Sequence, residues 1–66
     1  MTPEYRLTQI IMTIRAIRFG TPVSKAGVIL LLEPWPDLYR EAMDREGTDW
    51  INLLQAAAAR IERVLE

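Results

Sequence analysis

Three carboxylates, Asp37, Glu41 and Asp44, recur at spacings of four and three residues, which puts them on one side of any helix that carries them. Paired carboxylates are the raw material of general acid–base catalysis. The same spacing more often makes a solvated helix face, and a solvated face is the expectation here. Lys25 is a second candidate, because burial lowers a lysine's pKa and turns it into a base or nucleophile. It lies near a helix start, where a hydrated ammonium is expected instead. Ser24 and the threonines have no evident base beside them. The chain has no histidine and no cysteine. It therefore lacks the commonest general base near neutral pH, all thiol and disulfide chemistry, and the usual ligands of a structural zinc ion. The three glycines are isolated, so no phosphate-cradling loop is present. The expectation is a protein that is not an enzyme and holds no cofactor and no metal.

Nucleic-acid binding has some support from charge. Residues 1–32 carry Arg6, Arg15, Arg18 and Lys25 against Glu4 alone, a net +3, while residues 33–66 carry eight acids against four arginines, a net −4. The first two elements can be drawn as a helix-turn-helix, with Arg15, Arg18 and Lys25 as the contacts of a small dimeric DNA-binding regulator. A recognition helix, however, needs polar side chains that reach base edges, and the second element offers Ser24 and Lys25 followed by five aliphatics. A nucleic-acid domain also usually has a basic excess overall, whereas the whole chain is −1. Attraction between the two halves is the simpler reading, and DNA binding stands as the alternative.

At 66 residues, one domain is the limit, and a chain this short buries only about 60% of its unfolded surface. Half of the residues are hydrophobic, which is generous for a monomer with so much surface per volume. With disulfides and zinc removed, a partner subunit is the expected source of extra burial. The uncharged stretches between Arg6 and Arg15 and between Lys25 and Glu33 fall far short of the roughly 20 residues that cross a bilayer. The N-terminus lacks the basic region and apolar core of a signal peptide. A cytoplasmic protein with no membrane association is expected.

The elements follow from caps and periodicity. Thr2 as N-cap, Pro3 at the first position and Glu4 in the first turn open a helix over 3–18. Leu7, Ile10, Ile11, Ile14 and Ile17 supply its apolar face, and Gly20 supplies its stop. A strand is the minority reading there, since Ile10, Met12 and Ile14 also alternate. A second helix runs from about Pro22 or Val23 to Leu32, with Ser24 as a further possible cap. Val28 to Leu32 is apolar on every side and is expected to be buried on every side. A short strand paired across a dimer is the other reading of residues 27–32. Gly27 costs this helix roughly 1 kcal/mol unless it lets a neighbouring backbone approach. Pro34 ends the element.

Pro36 starts a third helix that reaches about Arg45, with Glu41 and Arg45 as an i, i+4 ion pair. Gly47 stops it and Thr48 caps a fourth helix over about 49–65. Trp50, Leu54, Ala57, Ile61 and Val64 recur at alternating spacings of four and three, a regular seam. Ala56 to Ala59 let another helix come close.

Together these readings predict an all-α fold. Residues 1–66 form a single small bundle of three to four short helices, completed by homodimerisation. The expected dimer interface is Trp50, Leu54, Ala57, Ala58, Ile61, Val64 and Leu65. Protein binding is the expected function, as an adaptor or inhibitor that modulates a partner protein. Trp35, held between two prolines, with Leu38, Tyr39 and Met43, is the expected partner-facing patch, because rigid aromatic anchors dominate interface energetics. A purely structural subunit of a larger assembly is a third reading.

Overall fold

The computed structural model describes residues 2–47 and 49–65. It contains four helices: α1 (Pro3–Arg18), α2 (Lys25–Leu32), α3 (Pro36–Asp44) and α4 (Ile51–Leu65). The described residues form no strand, so both strand readings give way to helix. Local chemistry accounts for most of the boundaries. The Thr2 hydroxyl accepts from the Tyr5 amide at 3.2 Å, and Pro3 takes the first position. At the far end the Gly20 amide donates to Ile17 and the Thr21 amide to Ala16, with Gly20 at φ +83°. These are the two bonds of a Schellman motif, whose left-handed residue favours glycine.

α2 begins later than the sequence suggests. Ser24 is its N-cap, and the Ser24 hydroxyl accepts from the Gly27 amide at 3.1 Å. That bond also explains Gly27. A β-carbon there would lie 3.1 Å from the Ser24 hydroxyl, so the glycine makes room for the cap rather than for a neighbouring helix. Pro36 starts α3, with Trp35 as a capping residue that makes no side-chain cap bond. The Glu41–Arg45 pair forms, at 3.2 Å, although the helix ends at Asp44. α4 starts at Ile51, two residues later than expected. Its first backbone bond runs from the Leu54 amide to the Trp50 carbonyl. The expected cap, Thr48, lies outside the described residues.

α1 and α4 make the largest helix–helix contact, and α2 packs mainly on α3. The start of α1 lies beside the end of α4, and the end of α1 beside Trp50, so the pair is antiparallel. The core draws Ile10 and Ile14 from α1, Val28 and Leu32 from α2, Leu38 and Ala42 from α3, and Leu53, Leu54, Ala57, Ala58 and Ile61 from α4, with Trp50 below it. The alanine run does admit a close helix, and that helix is α1 of the same chain, whose Ile11 and Ile14 lie beside Ala58 and Ala59. The Cα radius of gyration is 11.2 Å, against roughly 11 Å for a compact chain of this length. One copy therefore closes its own core.

Candidate interaction surface

The expected dimer seam is the first expectation to change. Trp50, Leu54, Ala57, Ala58 and Ile61 are all buried within a single chain, so they have no apolar area left for a second copy to cover. Only Val64 and Leu65 remain exposed. The start of α1 lies beside Arg60, Ile61 and Val64 in the last turns of α4.

The expected partner-facing patch divides in a similar way. Leu38 turns inward and is core. Trp35 is half-buried and packs against the core. It lines a cleft of about 240 Å³ with Pro34, Pro3, Arg6, Arg60 and Val64, below the roughly 300–1,000 Å³ of ligand pockets. Tyr39 lies on a different groove, between α2 and α3, with Ile29, Leu30, Glu33 and Pro36. Met43 is exposed one turn beyond Tyr39. The four residues therefore do not form one surface.

Leu30 is the residue that sequence reasoning missed. It is 64% exposed, although it sits inside the aliphatic run expected to be buried throughout. Val28 and Leu32 are fully covered, and Ile29 and Leu31 half-covered. α2 has eight residues and lies at the edge of the bundle, so its neighbours cover only one side. A run that is apolar all round has no period, and nothing in it marks which residue faces out.

The charged candidates are largely engaged. Lys25 Nζ donates to the Met43 and Arg45 carbonyls at 2.7 and 3.0 Å, which caps the C-terminal end of α3. Arg6 does the same for α2, donating to the Leu30 and Leu31 carbonyls at 3.2 and 3.0 Å. Arg60 grips Asp37 with two bonds, 2.9 and 2.6 Å, and ties α4 to the first turn of α3. Those hydrogen bonds, opposed by some desolvation and reinforced by the Arg60 charge, hold the Asp37 carboxyl at about 2. A carboxylate that acidic is a weak base near neutral pH. Glu41 is paired to Arg45. Arg15 and Arg18 line the outer α1/α4 groove with Gln55 and Glu62, and Lys25 is not part of that groove. The three candidate DNA contacts are therefore not brought together. The Trp50 indole N–H is buried with no hydrogen-bond partner among the described residues.

Among the described residues no cluster of three acidic, histidine or cysteine side chains could hold a metal, and no helix is long and apolar enough to cross a membrane. Fold and surface together define a class, a small four-helix bundle with an open apolar groove between its two short helices. No protein-family model matches the chain, and no curated protein or solved structure matches it.

Proposed function

We propose that this protein is a protein-interaction module whose partner docks in the α2/α3 groove. One observation carries the reading: Leu30 is 64% exposed in a groove that Ile29 and Tyr39 also line. The floor is aliphatic, the wall is an aromatic side chain with a polar tip, and Glu33 and Pro36 complete the lining. Such a surface fits the apolar face of an amphipathic helix, with basic residues favoured opposite Glu33. Met43 extends the surface by one turn and supplies an adaptable contact. The DNA-binding alternative gains no specific support, because Lys25 caps α3 and α2 presents Leu30 where a reading helix needs polar side chains.

A display library of amphipathic helical peptides, selected on the immobilised protein, supplies a ligand for the test. Leu30→Glu and Tyr39→Ala are each expected to abolish binding of the selected peptides with the far-UV circular dichroism unchanged. Binding that survives both substitutions refutes the groove assignment.

A further inference from the structure

The antiparallel pair α1 and α4 leaves a groove on the outside of the bundle. Ile11 of α1 and Ala58 and Ala59 of α4 lie at its middle, where the alanines leave room for a close approach. Its charges are sorted by end. Arg15 and Arg18 stand at the end of α1, and Glu62 stands towards the other end, beside the start of α1. Glu4 falls on the same flank of α1 as Ile11, Arg15 and Arg18, at spacings of seven, four and three residues, and adds a second carboxylate to the acidic end. None of these four charged side chains is in an ion pair among the described residues. The groove is separate from the α2/α3 groove and from the outer stripe of α1, where Tyr5, Met12 and Phe19 stand exposed. We propose that a second copy of the chain docks face to face on this groove. The two-fold axis crosses it at Ile11 and Ala58–Ala59, so the acidic end of each copy lies on the basic end of the other.

The charges set that axis. Glu4 and Arg18 lie seven residues to either side of Ile11, about 10.5 Å along α1. An axis through Ile11 therefore brings each Glu4 level with Arg18 of the other copy. In α4, Gln55 and Glu62 are equally far from the junction of Ala58 and Ala59, about 5 Å along the helix. The same axis therefore sets each Glu62 against Gln55 of the other copy. It also brings Glu62 level with Arg15 of the other copy, which lies about 6 Å beyond Ile11. A two-fold axis running along the groove would instead stack the acidic ends on each other and the arginines on each other, which like charges oppose. Each face is about 21 Å long and two helices wide. Two such faces bury on the order of 800 Å², at the weak, transient end of specific interfaces. The dimer is therefore expected to form at high concentration and to leave the monomer fold intact.

Arg15, Gln55, Ala59 and Glu62 are all exposed, so changing them tests the docking and spares the core. Sedimentation equilibrium between about 10 μM and 1 mM, the range of a weak interface, should show the mass rising from 7.6 kDa towards twice that value. At about 50 mM salt, where charges are little screened, Arg15→Glu and Glu62→Arg should each weaken the association by about tenfold, because each sets like charges together twice. An equal mixture of the two variants should associate as the wild type does, since both cross-copy pairs are then opposite in sign. A pairing within one chain would not be restored by mixing. The chain has no cysteine, so single cysteines report the axis cleanly. Under mild oxidation Ala59→Cys should cross-link to itself. Gln55→Cys should not, because it lies about 10 Å along the helix from its own counterpart. Failure of the mixture to associate, failure of Ala59→Cys to link, or self-linking of Gln55→Cys overturns the register. A mass that stays at the monomer value to 1 mM overturns the dimer, and binding of that monomer to duplex DNA would assign the arginine end to phosphate instead.

Discussion

Replacing Leu54 with alanine distinguishes a core that one chain closes from a seam shared between two. Leu54 is fully buried, and so are Ile10, Val28 and Leu32 of the same cluster. Helices α1, α2 and α4 all contribute to that centre, so the cavity left by the lost side chain has little room to collapse. Leucine-to-alanine changes at such sites cost about 2.7–5 kcal/mol. The whole fold of a 66-residue chain is expected to be stable by only about 3–10 kcal/mol. At roughly 4–8 °C per kcal/mol for a domain this small, a loss of 3–4 kcal/mol lowers Tm by about 12–30 °C. Val64→Ala is the matched control, since Val64 lies on the same stripe of α4 but is 74% exposed; it should cost no more than about 0.5 kcal/mol. Urea titrations followed by circular dichroism measure both, at a concentration where the wild type sediments as a monomer. If Leu54→Ala costs under about 1 kcal/mol there, or no more than Val64→Ala, Leu54 is not closed over by its own chain and the packing argument fails.

Three further outcomes follow from particular contacts. The Asp37 carboxyl titrates below its ordinary value, so its pairing with Arg60 stabilises the fold above about pH 4 and is lost as pH falls towards 2. An acid titration of Asp37→Asn should lack that segment of the wild-type decline, and an unchanged profile would mean that the pair does not persist in solution. Lys25→Met keeps the aliphatic stem but removes the ammonium from the Met43 and Arg45 carbonyls. It should cost about 0.5–1 kcal/mol, read as a lower thermal midpoint. Gly20→Ala forces a β-carbon into the left-handed region at φ +83° and should cost about 1 kcal/mol, although no atom lies close enough to clash. A neutral result would show that the α1 stop is not left-handed in solution.

Some of this protein was legible without coordinates, because it depends on neighbours in the chain. Thr2, Pro3 and Gly20 set the ends of α1 through bonds spanning three to five residues, and Pro34 and Pro36 separate α2 from α3 by their own geometry. The all-helical class follows from the same local rules. The period of α4 correctly marked its apolar stripe. A stripe states only that something must cover it, and α1 of the same chain does so from the antiparallel side. The sequence therefore could not tell core from dimer seam at Trp50, Leu54, Ala57, Ala58 and Ile61. Leu38 was misplaced for a related reason. It sits next to Tyr39, but adjacent helix positions differ by about 100° in direction, and the tertiary packing turned the core towards Leu38.

Only the tertiary structure decided which polar groups are engaged and which apolar ones are left out. Arg6 and Lys25 reach helix ends more than a dozen residues away, and Arg60 reaches Asp37 across 23 positions. No local pattern predicts such pairings. Leu30 and the outer stripe of α1 are exposed because four short helices cannot surround every apolar residue in a chain that is half hydrophobic. Composition determined that such an excess would exist, and the packing of α1 on α4 and of α2 on α3 determined where it lies.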